Sequence, residues 1–396
     1  MIMTRVELEA VGPDSAPVER VAGRLRAECG LQPAKENKFA VGLRSASLES
    51  PWRPDPARKA EPVQAAITAS TRAGDFAAAA LQRLLAEWHD HEPGARLGES
   101  PEALHALRVT ARRMDTVLSL FRDHLPAAVG RSRQRLKDLL DAFGAVRDVD
   151  IRLEAVGQFR GDLPEGERPA LDPLLRQLEA ERSAARAAML RALDAKPARH
   201  WLESLPGELA RAAPRAGSAR DAAALAVVPD LIRRRYRKLR KCARRLTPRS
   251  SLREYHKVRV RTKKLRYALE LVAPTYAKSA DEMLDELHGL QDKLGSQHDA
   301  GAIAGYLQQL ALHPPASLTP ETLFMMGRMA ERHTREAARL GPKVGKRWRK
   351  VRGRCWKPLR AHMQERREEA PRSPAKRSHK PAGAAAGSDS SAASRP

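Results

Sequence analysis

Residues 251–272 read SLREYHKVRVRTKKLRYALELV, and this pattern predicts one amphipathic helix. Ser251 and Glu254 have the spacing of a capping box, so the helix is expected to begin here. At about 100° per residue, four apolar side chains fall within about 60° of one another: Val258, Leu265, Leu269 and Val272. The opposite face carries a row of basic side chains about one turn apart: His256, Arg259, Lys263 and Arg266. The helix therefore combines an apolar seam with a row of positive charge.

A second copy of this helix lies earlier in the chain, where LHALRVTARRMDTVL from Leu104 matches YHKVRVRTKKLRYAL from Tyr255. A further pair, LKDLLDAFGAVRDVD from Leu136 and LHGLQDKLGSQHDAG from Leu287, keeps the same offset of 151 residues. Matched pairs include His105 with His256, Arg108 with Arg259, Arg112 with Lys263, Arg113 with Lys264, Arg147 with His298, and Asp148 with Asp299. Two motifs with one spacing predict a duplicated unit of about 150 residues, which is too long for a solenoid repeat. We expect two helical bundles related by a pseudo-twofold axis.

Composition indicates an all-α protein with an anionic partner. The 396 residues are 42% hydrophobic but only 4% aromatic, and strand-forming residues are sparse. The net charge of +25 favours a polyanion or an anionic surface as the partner.

The cysteines and the hydropathy pattern bear on location. Cys29, Cys242 and Cys355 are too widely spaced for a disulfide framework or a zinc site, so a reducing cytoplasm is expected. No apolar run approaches membrane-spanning length, so no membrane partner is expected.

The chain divides into segments of different composition. Residues 1–50 differ in pattern from the rest, since residues 5–10, RVELEA, alternate polar and apolar side chains as a strand does. Residues 51–62, PWRPDPARKAEP, contain four prolines and predict a linker. Residues 63–366 are helical in pattern, with halves at about 63–215 and 216–366 and a loop expected at 92–99. Residues 367–396 are rich in Ala, Ser, Pro and basic residues, which predicts a disordered tail.

The duplicated motifs resemble the two signature helices of the CHAD family, the conserved histidine α-helical domain. The resemblance covers roughly residues 65–365 and includes the segments at 143–148 and 294–299. It implies paired helical bundles around a basic cavity that binds inorganic polyphosphate. One departure is Met114–Asp115, where Leu–Arg is usual, as at Leu265–Arg266; this removes one cation from the first half.

The first fifty residues resemble the carboxyl end of a CYTH, or triphosphate tunnel, domain. The resemblance rests on RVELEA at residues 5–10 and on LQPAKENKFAVGLR at residues 31–44. Such enzymes need an amino-terminal Glu-x-Glu-x-Lys strand and most of a β-barrel, which this sequence does not contain. Glu7 and Glu9 on one strand do not close a metal site. We therefore expect a remnant without catalytic activity, and no cofactor or metal.

The basic rows suit a flexible polymer with a negative charge on every phosphate. Arg or Lys at i, i+3 and i+7 forms a ladder along one helix face, and guanidinium groups add bidentate phosphate contacts. Histidines in the row would donate when charged. The predicted phosphate ligands in the two halves are His105, Arg108, Arg112, Arg113, His256, Arg259, Lys263, Lys264 and Arg266. Two further basic faces are Arg233, Arg237, Arg240 and Arg244, and Arg328, Arg332 and Arg335.

Three function classes follow, and the sequence leaves them open. The first is a non-catalytic polyphosphate-binding protein, located in the cytoplasm and at polyphosphate granules. The second is a nonspecific nucleic-acid-binding protein, for which recognition motifs and stacking aromatics are lacking. The third is an accessory part of a triphosphatase or polyphosphate-processing enzyme, although neither a phosphate loop nor a complete acidic strand set is present. The oligomeric state does not follow from the sequence.

Overall fold

The computed structural model describes residues 66–98, 100–131, 133–210, 218–247 and 250–371. This part of the chain is helical, and within it the β-type pairing is one isolated bridge between Arg72 and Ala223. The all-α prediction is confirmed. The helices are α1 (Ala73–Leu97), α2 (Pro101–Leu120), α3 (Ala127–Arg131), α4 (Arg133–Gly161), α5 (Asp172–Asp194), α6 (Lys196–Ala210), α7 (Ala224–Ala243), α8 (Leu252–Leu312), α9 (Pro320–Lys350) and α10 (Trp356–Glu368).

Capping residues set the starts of the two signature helices. The Ser251 side chain accepts from the Glu254 N–H while the Glu254 carboxylate accepts from the Ser251 N–H at 2.8 Å, so the predicted capping box is present. Ser100 caps α2 by accepting from the Glu102 N–H at 3.1 Å, with Pro101 in the first turn.

The prediction of a loop at residues 92–99 is wrong for most of that range, because α1 continues through Pro93 to Leu97. Glu92 holds this last part together: it accepts hydrogen bonds from the indole of Trp88 and from Arg96, each at 2.7 Å. The helix ends at Gly98, whose φ of 70° is in the left-handed region that glycine adopts without steric cost.

Helix α8 is sharply bent and has two limbs. Ala277 has φ 39° and ψ −130°, which breaks the helical path three residues after Pro274. We call residues 252–276 the N-terminal limb and residues 278–312 the C-terminal limb. The N-terminal limb carries the basic row, and the C-terminal limb carries His298 and Asp299.

Helix bounds in the two halves recur at the offset of the sequence repeat. Helices α1 and α7 begin at Ala73 and Ala224, α2 and α8 begin at Pro101 and Leu252, and α4 and α8 end at Gly161 and Leu312. Each pair lies 151 residues apart. These bounds agree with the duplicated unit that the sequence predicts.

One pair of backbone hydrogen bonds is also symmetric in this sense. The Ala73 N–H donates to the Ala222 carbonyl at 2.8 Å, and the Ala224 N–H donates to the Thr71 carbonyl at 2.8 Å. When the donor number of the first bond is raised by 151 and its acceptor number is lowered by 151, the second bond results. A local twofold axis between Arg72 and Ala223 would produce this arrangement.

The apolar core forms two clusters, and each contains residues from both halves of the chain. The larger one includes Leu107 and Met114 of α2 together with Leu265 and Leu269 of α8, all fully buried. The smaller one, at the other end of α4 and of the C-terminal limb, includes Leu174, Leu178, Leu307 and Met329. The predicted boundary near residue 215 therefore divides the two sequence repeats, but it does not divide the apolar core.

Several segment predictions lie outside the described residues. They are the CYTH-like remnant at 1–50, the linker at 51–62, and residues 372–396 of the predicted tail. Helix α10 ends at Glu368, two residues beyond the predicted end of the helical region. No helix in the described ranges is both long enough and apolar enough to cross a membrane.

Candidate anion-binding site

The signature helices of the two halves bring their basic faces together in one place. We call this set the central basic cluster. It consists of Arg108 and Arg112 of α2, Arg147 of α4, Arg259 and Lys263 of the N-terminal limb, the histidines His105, His256 and His298, and the carboxylates Asp148 and Asp299. Arg259 lies 3.6 Å from Asp299, and the rings of His256 and His298 are 4.9 Å apart between centroids. The charges of Arg108 and Arg112 in the first half also act on Arg259 and Lys263 in the second, so both halves contribute to one site.

Helical spacing explains how each half supplies its share. His105, Arg108 and Arg112 lie at i, i+3 and i+7 on α2, and His256, Arg259 and Lys263 have the same spacing on α8. Apolar residues such as Leu107 and Leu265 on the other faces are buried in the larger core and fix the rotation of both helices. The cations are thus held close together by packing in spite of their repulsion.

The crowding of positive charge shifts the ionisation of the cluster. Burial, with the charges of Arg259, Arg112 and Arg108, lowers the pKa of Lys263 to about 7. Burial, with the charge of Arg112, lowers the pKa of Arg108 to about 10. A bound anion would reverse both effects, because an opposite charge favours the protonated form.

The three histidines are held largely neutral at pH 7. Burial, then the charges of Arg147 and Arg108, lowers the pKa of His105. Burial, then the charge of Arg259, lowers the pKa of His256, and the same two causes lower that of His298 to about 4. Burial also raises the pKa of Asp299, against the opposing effect of Arg259.

Two guanidinium groups of the cluster have an unused donor. The Nε atoms of Arg108 and Arg259 are buried and have no hydrogen-bond partner among the described residues. A buried N–H without an acceptor is costly, so each Nε marks a position where a ligand oxygen would be stabilising. Among the described residues no group of three or more His, Cys, Asp or Glu side chains is arranged to hold a metal ion.

A family model described as the CHAD domain matches residues 79–308, which is more than half of the chain. The chain belongs to the CHAD family. Every member of the central basic cluster lies within the matched residues.

Two solved structures share the CHAD fold. The chain is 23% identical to the crystal structure of the CHAD domain from the plant Ricinus communis, with a TM-score of 0.55, and the match covers 78% of this chain and 97% of that one. It is 21% identical to PptA from Streptomyces chartreusis, with a TM-score of 0.57 and coverage of 70% and 100%. At these identities the likeness concerns the fold alone. No curated protein matches the chain.

Three predicted ligands on the CHAD signature helices are engaged outside the cluster. Arg113 lies 3.8 Å from Glu270 and 3.7 Å from Glu87. Arg266 is bonded to Glu270 and to Gln291, and its guanidinium stacks over the Tyr267 ring at 4.3 Å. Lys264 lines a separate cavity described below. Adjacent basic residues on one helix point in different directions, so only the first of each Arg112–Arg113 and Lys263–Lys264 pair joins the cluster.

The other two predicted basic faces lie apart from the cluster. On α7, Arg233 is 3.8 Å from Asp230, while Arg237, Arg240 and Arg244 are exposed. On α9, all three predicted cations are paired with carboxylates: Arg328 with Glu167, Arg332 with Asp162 at 2.7 Å, and Arg335 with Glu331 at 2.6 Å. Paired cations have less charge to offer a polyanion, so the α9 face is less suited to this role than the central basic cluster. The α7 face stays a prediction.

Arg147 and His298 are functional candidates that the site prediction omitted. They lie next to Asp148 and Asp299 on α4 and on the C-terminal limb, not on the signature helices. The 151-residue offset pairs them in sequence, and this was the available signal. The absence of a basic row around them on their own helices explains the omission.

Proposed function

We propose that this protein binds inorganic polyphosphate at the central basic cluster without catalysing its turnover. The observation that carries the proposal is the convergence of two basic rows, one from each half, on one site with two buried guanidinium donors left unpartnered. The basic cavity that the family resemblance implies would have this cluster as its lining. Location at polyphosphate granules would follow from such binding.

Two rows of cations suit a chain of phosphates better than a single phosphate. Each helix repeats its charges about every turn, or roughly 5.4 Å, so a flexible polymer can contact successive cations. Counterion release would supply much of the affinity and would make it fall with salt, by analogy with nucleic acids. The contacts of Arg108 and Arg259 would be desolvated, so they should persist at salt concentrations that screen exposed charges.

Chemistry in the cluster argues for binding and not for turnover. The two carboxylates, Asp148 and Asp299, face the neighbouring arginines, and Asp299 is paired with Arg259 at 3.6 Å. His298 has its pKa lowered to about 4, which makes it a poor general acid near neutral pH.

The test is calorimetric binding of long-chain polyphosphate and of duplex DNA at matched charge, at about 150 mM and about 500 mM salt. We expect polyphosphate binding to persist at the higher salt and DNA binding to disappear. Arg108→Gln with Arg259→Gln should weaken polyphosphate binding by at least roughly 100-fold, since two charge-assisted hydrogen bonds at about 1.5 kcal/mol or more each contribute about 3 kcal/mol or more.

The matched control is Lys241→Gln with Arg245→Gln, which removes the same charge from exposed positions on and just after α7. It should change polyphosphate affinity less than about threefold, because exposed charges are screened. Equal affinity for the two polymers at both salts, with equal losses in the two double variants, would show a merely basic protein and refute the proposal.

A further inference from the structure

A cavity of about 370 Å³ lies apart from the central basic cluster. It is open to solvent and is bordered by the end of α2, the start of α4, α7 and the N-terminal limb of α8. Six of its cations are Arg133, Arg234, Arg235, Lys238, Arg261 and Lys264. None of the residues that line it belongs to the central basic cluster. Asp123 is the carboxylate among its lining residues, so the cavity carries a large excess of positive charge.

Arg235 is the most deeply placed of these cations. Its Nη2 donates to the Ser119 hydroxyl at 2.8 Å, and its Nε is buried without a hydrogen-bond partner in the described part of the chain. Burial lowers the pKa of Arg235 to about 10 and also lowers that of Lys264. Arg133 is the cation of this group with an acidic partner, Asp115, at 2.6 Å.

The equivalent place on the other side of the molecule is closed. The 151-residue offset relates Arg235 to Leu84, Lys264 to Arg113, and Glu270 to Ser119. These counterparts line a cavity of only about 10 Å³. There, Arg113 pairs with Glu270 at 3.8 Å, and Leu84 fills the position of the buried arginine. One side is therefore neutral and filled, while the other is open and cationic.

This difference is not what packing alone would favour. Leu84 shows that an apolar side chain can occupy the position of Arg235 with full burial. An arginine there is held against desolvation and against repulsion from Arg133 and Arg261, which the nearby charge of Asp115 offsets only in part. An anion in the cavity would offset both costs and would accept from the free Nε.

We propose that this cavity is a second binding site, specific for a compact anion that carries several phosphate groups. Its volume is in the range of small-ligand pockets. Among the described residues, its lining contains no aromatic ring on which a nucleobase could stack. Inorganic pyrophosphate and tripolyphosphate fit this description, and so does the end of a longer phosphate chain. The proposal does not depend on polymer binding at the central basic cluster.

The test is calorimetry of the full chain with tripolyphosphate. Arg234→Gln with Lys238→Gln removes two exposed lining charges, one turn apart, without touching the core. We expect at least a tenfold loss of affinity, while Lys241→Gln with Arg245→Gln on and just after α7 leaves the affinity within about threefold. Arg108→Gln with Arg259→Gln in the central basic cluster should also leave it within that range.

A second variant, Arg235→Leu, copies the residue found at the closed counterpart. It should abolish tripolyphosphate binding, and thermal unfolding at or above the wild-type temperature would establish that the fold is kept. The proposal would be overturned if the Arg234→Gln, Lys238→Gln protein bound tripolyphosphate as tightly as the Lys241→Gln, Arg245→Gln control. It would also be overturned if the affinity were lost in the Arg108→Gln, Arg259→Gln protein instead.

Competition with long-chain polyphosphate shows whether the cavity takes the end of a polymer or a free small anion. If the polymer displaces tripolyphosphate from the Arg108→Gln, Arg259→Gln protein, the cavity takes a chain end. If it binds the wild-type protein together with tripolyphosphate, the cavity takes a free small anion. Either result supports a discrete multiphosphate site.

Discussion

Packing holds Lys263 in an electrostatically unfavourable environment, which a bound anion would improve. Its ammonium lies among Arg108, Arg112 and Arg259, and its pKa of about 7 is far below that of a free lysine. The free protein at pH 8 therefore holds Lys263 mostly neutral. A polyanion favours the charged form, so it would raise this pKa and draw a proton from solvent as it binds.

Polyphosphate affinity should accordingly increase as pH falls from about 8.5 to about 6.5. His105 and His256 have lowered pKa values, so they add to this dependence mainly at the acidic end. Calorimetry at pH 8 in two buffers of different ionisation enthalpy should reveal proton uptake on binding.

Lys263→Arg provides the control, because arginine keeps its proton over this range. The variant should bind at pH 8 at least as tightly as the wild type and lose most of the proton uptake. Identical uptake in the two proteins would exclude Lys263 as the titrating group.

The sequence predicted the cluster in part, and its limit lies at individual residues. His105, Arg108, Arg112 and their counterparts could be found, because helical spacing and the repeat both identify them. Spacing did not separate Lys263 from Lys264, although Lys263 lies in the central basic cluster and Lys264 lines a separate cavity. That separation depends on helix rotation, which is set by long-range packing that a local pattern does not contain.

At the scale of elements, the bend in α8 is the feature that local sequence specified least well. The sequence predicts a helix over residues 251–272, and Pro274 follows shortly after that range. The interruption itself occurs at Ala277, whose positive φ of 39° is rare for a residue with a Cβ. Surrounding contacts hold it there: Tyr276 is fully buried, and the Ser279 hydroxyl contacts His362 of α10 at 2.9 Å.

Ala277→Gly should therefore stabilise the protein by about 1 kcal/mol, because glycine adopts positive φ without the steric cost. Denaturant unfolding measures the change. The matched control is Ala273→Gly, one turn earlier in regular helix, which should destabilise by about 1 kcal/mol. A loss of stability in both variants would mean that Ala277 is not strained.

At the scale of the whole molecule, the two halves share helix bounds at a constant offset but differ in the side chains at particular matched positions. Helix starts, the backbone bonds around Arg72 and Ala223, and the central basic cluster all follow the 151-residue offset. The cavity around Arg235 and its closed counterpart around Leu84 do not. If the predicted duplication holds, the differences between paired residues indicate where one half has acquired its own role.

Shared cores also make the halves depend on each other for stability. The smaller core packs Leu174 and Leu178 of α5 in the first half with Leu307 and Met329 from the second, and all four are at most 2% exposed. A cavity made in one half is therefore expected to weaken the other. The alternative is two bundles that open independently.

Leu178→Ala should lower the free energy of unfolding by about 2–5 kcal/mol, as expected for a fully buried leucine. Native-state hydrogen exchange distinguishes the two possibilities. With a shared core, amide protection should fall by a similar factor in α5 and in α9, although the substitution lies only in α5. Loss of protection confined to residues before 215, with α9 unchanged, would show that the halves unfold separately and that the core does not couple them.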